Sequence, residues 1–222
     1  MKSFLLTLLF CLPSFAALED GFDDDKLQIK PTILSEAQAQ KLWNEFASLN
    51  YIPYEYATDG CYAQATGLAL YAEKKGYDMA KVFAEGRLIA KLINNPHKEV
   101  ALWDWHVAPV LYVQIKKELV LYAFDPSLFT KPVPVTEWLD KMRDDDGYGT
   151  RGKIMTTYYG SKYQYMSKSY DKSAAKKTSW MPEDLENCRV TLKKYVSKLA
   201  EIKKQSVPAG MFEKIDKAIR EK

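Results

Sequence analysis

The chain has 222 residues, 47% of them hydrophobic, enough to bury one core of ordinary single-domain size. Its formal net charge is +3 with both signs interleaved, which excludes the concentrated basic footprint of a nucleic-acid binder. With 2 histidines and 3 cysteines at unrelated spacings, no metal site follows.

Met1 to Ala16 reads as a secretory signal peptide. Lys2 precedes an apolar run from Phe4 to Leu12, and Ser14-Phe15-Ala16 forms a small-x-small cleavage site. That run is too short to span a bilayer, and no later one is long and apolar enough, so no membrane association is expected after cleavage. The leader directs the mature chain out of the cytoplasm, secreted or periplasmic. Residues 17–34 come next as an N-terminal strap with Asp23-Asp24-Asp25, a triplet without the spacing or terminal Glu of a calcium loop. A solvated strap and a short propeptide both fit this segment. From 35 to 222 the pattern is that of one domain. Ser35 and Gln38 form a capping box, and Ala39, Leu42, Trp43, Phe46 and Leu49 make the buried face of a helix that Asn50 ends.

Asp59 and Gly60 close an irregular approach bearing Tyr and Pro, and Cys61 opens a second helix. Ala65, Leu68, Ala69 and Ala72 share its face, and Gly76 stops it behind Lys74 and Lys75. Residues Lys81 to Lys91 fit a strand through Val82, Ala84, Leu88 and Ala90, but a helix periodicity fits as well. Asn94-Asn95-Pro96-His97 is a loop, with His97 read as exposed. Trp105–Ile115 and Leu119–Phe124 read as two strands around a polar turn at Lys116-Lys117-Glu118. If that turn holds an even number of residues, Asp125 shares a sheet face with His106. Asp144-Asp145-Asp146-Gly147 is a further turn, and Gly147 to Tyr170 reads as irregular strands. Pro182 starts a long helix striped by Leu185, Cys188, Leu192, Tyr195, Leu199 and Ile202. Val207 to Gly210 breaks the chain before a last helix over Met211–Lys222.

The chemistry concentrates at Cys61, His106 and Asp125. A thiol at a helix N-terminus sits among unpaired N–H groups at the positive end of the dipole, which favours the nucleophilic thiolate. His106 can serve as its base and Asp125 can orient the imidazole. Spacing alone carries this weakly, since any chain of this length holds some Cys, His and Asp. On composition alone, an extracytoplasmic chain with Cys61 and Cys188 left after cleavage suggests a structural disulfide ahead of a catalytic thiol.

The motifs around these residues add a resemblance. Asp59-Gly60-Cys61-Tyr62-Ala63-Gln64-Ala65, Gly76-Tyr77-Asp78, Trp103-Asp104-Trp105-His106-Val107-Ala108, Asp125-Pro126-Ser127-Leu128-Phe129, and then Pro134-Val135 with Trp138 resemble, in this order, the protein-glutamine glutaminases. These are secreted bacterial enzymes that deamidate glutamine side chains in proteins. The likeness runs from about Tyr54 to Trp138, with an echo in Asp184 to Cys188. It implies a strand over Lys81–Lys91 and a free, reactive Cys61. One position departs: Thr66 stands where the family pattern has His, and is read as a change in the wall of the site.

The expected fold is α+β, a single papain-like or transglutaminase-like domain with helices packed on an antiparallel sheet. The implied reaction is hydrolysis of the side-chain amide of protein-bound glutamine through a Cys61 thioester, with His106 as acid and base and Asp125 orienting it, and it needs no cofactor. Gly60, Tyr62, Trp103 and Trp105 are the candidates for shaping the oxyanion and substrate site. Protein or peptide substrates with exposed glutamine are the expected partners of a monomer. Three alternatives share the residues: a transglutaminase, a cysteine peptidase, and a non-catalytic binding module with a Cys61–Cys188 disulfide.

Overall fold

The computed structural model describes residues 30–56, 58–93 and 100–220, apart from the side chain of Ala175. The expected signal peptide at 1–16, most of the expected strap at 17–34 and the His97 loop lie outside these residues.

One long strand organises the sheet. β3 (Val100–Ile115) pairs antiparallel over its first half with β2 (Ala80–Lys91), and over its second half with β4 (Glu118–Ala123). β6 (Lys153–Ser161) flanks β2 and β5 (Val133–Pro134) flanks β4, giving the order β5-β4-β3-β2-β6. The sheet departs from the antiparallel expectation at β1 (Ile33–Ser35), which runs parallel to β3 opposite Tyr112 to Gln114. It takes the edge that β2 leaves open beyond Val110 and feeds directly into α1 (Glu36–Ala47). Segment 80–91, ambiguous by periodicity, is a strand because both its faces are covered. Val82 and Ala84 meet one apolar layer, while Lys81 and Phe83 point into another.

Helices close both faces. α1 starts at the Ser35–Gln38 capping box and buries Ala39, Leu42, Trp43 and Phe46. α2 (Cys61–Lys74) is buried along nearly its whole length, which its alanines and Gly67 permit. α4 (Pro182–Ile202) begins with Pro at its first turn and buries Cys188, Leu192 and Tyr195. α5 (Met211–Arg220) adds Met211, Ile215 and Ile219. These four helices share a core with Leu111, Val113 and Phe124. On the opposite face α3 (Val135–Lys141) packs Trp138 and Leu139 against Val82, Ala84 and Val110. Periodicity does not mark α3, because it is only 7 residues long and has no side-chain cap. The strands expected over Gly147–Tyr170 reduce to β6. On its N-terminal side the carboxylates of Asp145 and Asp146 accept from the N–H groups of Gly147, Tyr148 and Thr150, which holds a turn instead of a ladder.

The β3–β4 hairpin sets how His106 and Asp125 stand to each other. Ile115 pairs with Glu118, so Lys116 and Lys117 alone make the turn, and Lys116 takes φ of 55°. The ladder continues past Ala123 through Phe124 N–H to the Pro109 carbonyl at 2.9 Å. Asp125 therefore has the same parity as His106.

Candidate active site

Cys61 is the first residue of α2 and its thiol is half-buried. Gly60 before it is left-handed, with φ of 93°, and a Cβ there would meet the Tyr195 ring at 2.7 Å. Only glycine satisfies both demands. Asp59 holds this turn from two sides: Oδ1 accepts from Gly60 N–H at 2.7 Å and Oδ2 from the Tyr195 hydroxyl. Tyr195 is in turn stacked on Tyr56 at 4.5 Å. The nucleophile candidate thus stands on a turn braced by α4.

His106 and Asp125 are both buried, and their Nε2 and Oδ2 lie 2.8 Å apart. The same Oδ2 accepts from the Trp138 indole N–H at 2.9 Å. Oδ1 accepts from the Ser127 hydroxyl and, at 3.2 Å, from Ser127 N–H. Every lone-pair direction of the carboxylate is occupied, as a buried charge requires. Burial alone would raise the Asp125 pKa, but the His106 charge and these donors hold it below the ordinary carboxylate range. Burial likewise opposes the imidazolium; Asp125 outweighs it, with Cys61 adding in the same sense, and His106 is raised to about 10. Its Nδ1 is buried without a formed hydrogen bond. Since Nε2 is committed to Asp125, Nδ1 is the nitrogen left to answer Cys61.

The remaining candidates divide. Trp103 stacks on the His106 ring at 4.4 Å and 7°, and Trp138 lies near-parallel to it at 5.6 Å. Trp105 instead stacks on Tyr62 and Phe83, one layer away. Tyr62 packs edge-on against Tyr165 at 5.1 Å. Ser127 and Trp138 stand in the motifs that carry the resemblance, but nothing in the sequence shows that they hold Asp125; Tyr195, which the sequence places on an apolar stripe, carries no site signal at all. The bridged-cysteine alternative fails. Cys61 and Cys188 are both free, and Cys188 is buried behind α2 with its sulfur 3.4 Å from the Ala63 carbonyl. Burial pushes its thiol up to about 12. Among the described residues no group of His, Cys, Asp and Glu could hold a metal ion, and no helix is long and apolar enough to cross a membrane.

A family model described as glutaminase matches residues 34–142, a segment containing Cys61, His106 and Asp125. Together with the structural likenesses that follow, this match supports the protein-glutaminase family. A crystal structure of protein-glutaminase superposes with a TM-score of 0.62 at 21% identity, covering 76% of this chain and 91% of that one. The NMR structure of protein-glutaminase from Chryseobacterium proteolyticum gives 0.61 at 20%, over 75% and 89%. A mutant pro-protein-glutaminase gives 0.54 at 22%, over 63% of this chain and 52% of its own, so the chain spans about half the length of that pro-form. At these identities the likeness is one of fold, α+β and transglutaminase-like. No curated protein matches the chain.

Against the glutaminase pattern, the departure at Thr66 proves not to be in the wall of the site. Thr66 is buried within α2, and its Oγ1 accepts from Lys81 Nζ at 2.8 Å. Lys81 is wholly buried in β2. Its ammonium also donates to the Gln164 carbonyl at 2.8 Å and lies 5.9 Å from the centre of the Trp180 ring. Neutral oxygens are its hydrogen-bond partners. Burial lowers its pKa from 10.5 to about 7, with Cys188, Asp184 and Cys61 offsetting only part of that loss.

Proposed function

We propose that this protein is a protein-glutamine deamidase, hydrolysing the side-chain amide of protein-bound glutamine to glutamate and ammonia. The observation that carries the reading is His106, held by Asp125 on Nε2 and raised in pKa by Asp125 with Cys61 contributing, in a chain that the glutaminase model matches across all three residues. The Cys61 thiolate attacks the carboxamide carbon. The negative oxygen that forms is stabilised by backbone N–H groups at the start of α2, that of Cys61 among them. His106 gives its Nδ1 proton to the departing nitrogen, ammonia leaves, and a thioester remains. Water then attacks the thioester while Nδ1 takes a proton from it. Collapse releases the new carboxylate and returns the thiolate beside the imidazolium. Asp125 keeps the ring oriented and charged, with Ser127 and Trp138 fixing the carboxylate. Trp103 covers the ring face.

Residues 35–222 form the catalytic domain in this reading, and the chain is secreted or periplasmic once residues 1–16 are removed. The test is ammonia release from a glutamine-rich protein, with intact-mass analysis of the product. Each event should add about one mass unit, the change from amide to acid. Products that are only shortened, or only enlarged by added amine, would point to a peptidase or a transglutaminase and end the deamidase reading.

A further inference from the structure

Beside the Cys61 turn lies a cavity of about 600 Å³. Its inner wall is Tyr62, the residue after the thiol, with Tyr165 packed edge-on against it. Thr191 closes the side nearest the nucleophile: its Cγ2 is 3.7 Å from where a Cβ on Gly60 would stand. The cavity thus begins within a side chain's reach of the Gly60–Cys61 peptide.

Two independent features suit it to an occupant. The hydroxyl of Tyr165, a residue only 4% exposed, is buried without a hydrogen-bond partner, whereas buried hydroxyls are normally paired. The lining also carries Asp171, Glu183 and the buried Asp184 against Lys177. Lys177 is committed to two of them, with Nζ 2.7 Å from Asp184 and 3.4 Å from Asp171. Glu183, exposed in the first turn of α4, stands outside that pairing. The lining is therefore aromatic at Tyr62 and Tyr165 and acidic elsewhere, with Glu183 exposed to solvent.

We propose that this cavity receives a lysine or arginine side chain neighbouring the target glutamine in the substrate. The proposal rests on the deamidase reading and adds a substrate class to it. A basic side chain matches both parts of the lining: its methylene stem lies along Tyr62 and Tyr165, and its charged end reaches Glu183 and Asp171. Glu183 is open to solvent, so the electrostatic part is modest and weakened by salt.

The experiment uses three peptides that differ only in the residues flanking one glutamine: lysine, alanine or glutamate. Ammonia release should give kcat/KM in the order lysine, alanine, glutamate, with about fivefold between the first two. In Glu183→Lys the ratio of lysine- to glutamate-flanked rates should collapse or invert, read within that one variant. Equal rates on the three peptides, or a lysine preference that survives Glu183→Lys, overturn the subsite while leaving deamidation intact. Release from none of the three overturns the deamidase reading itself, and the subsite with it.

Discussion

The His106–Asp125 pair and Lys81 are equally sealed from water, yet their equilibria move in opposite directions. Burial opposes the charged form in both. At the hairpin end, the opposing carboxylate and its donors overcome that penalty, and the imidazole is raised. At the start of β2, Lys81 meets a hydroxyl and a carbonyl, and the penalty wins. Depth of burial therefore does not predict the charge state of a group in this domain; the partner does. The difference also separates two uses of a buried cation. The imidazolium is stabilised where a thiol can exploit it, whereas Lys81 remains a cost to the fold at neutral pH.

The sharpest way to break the contrast is to remove the side to which the proposed function assigns catalysis. Cys61→Ala and His106→Ala should each lower kcat by ~10⁴-fold or more, and the double variant by hardly more than either alone, since members of one unit are not additive. Full activity in His106→Ala would remove it from the mechanism. Next, Asp125→Asn should keep the fold and lower kcat by ~10²- to 10⁴-fold. It should also make His106 behave as Lys81 does, its pKa dropping once burial is unopposed. The folded-state value lies above the unfolded one, so the stabilisation is complete below the ordinary histidine value of 6.5 and lost as pH rises through about 10. Titration of the His106 ring signals by NMR reads this directly; an unchanged high value in Asp125→Asn would assign the shift to Cys61 instead.

Lys81→Met tests the other side. The folded pKa of Lys81 is lowered, so its cost is complete below about 7 and is relieved as pH rises toward 10.5. Urea unfolding should show the wild type gaining a few kcal/mol relative to Lys81→Met between those limits. Parallel pH profiles for the two proteins would refute a Lys81 whose charge is opposed by burial. The smallest effect belongs to Trp138→Phe, which removes one donor from Asp125 and keeps an aromatic ring beside His106. It should cost about 1–2 kcal/mol of stability with a small fall in kcat, measured on the same samples.

Local signals are legible where neighbouring residues create them. The capping box at Ser35, Pro182 in the first turn of α4 and the apolar face of α1 all arise from short-range chemistry, whereas the parity of His106 and Asp125 stays open until Glu118 is seen to pair with Ile115, leaving a two-residue turn. Lys81–Lys91 is ambiguous because a strand covered on both faces loses its alternation, and only the family pattern decides it. The supports of the site are not legible. Tyr195 lies 136 residues from the Asp59 it braces, and it is half of an apolar stripe until the fold turns its hydroxyl to that carboxylate. Trp138 reaches Asp125 from α3, a helix too short to show a period. Thr66 is assigned by sequence to the wrong surface because its position along α2 is readable but its rotation toward Lys81 is not.

The separation of the two cysteines bears on how the protein would age in an oxidising compartment. A sulfenic acid on Cys61 is normally rescued by condensation with a nearby resolving thiol. Here Cys188 is shut behind α2, held protonated by burial and engaged with the Ala63 carbonyl. The described chain offers Cys61 no internal disulfide as a shelter from further oxidation. Peroxide would drive it up to the sulfinic acid, and recovery would depend on small thiols from outside capturing the first oxidation product.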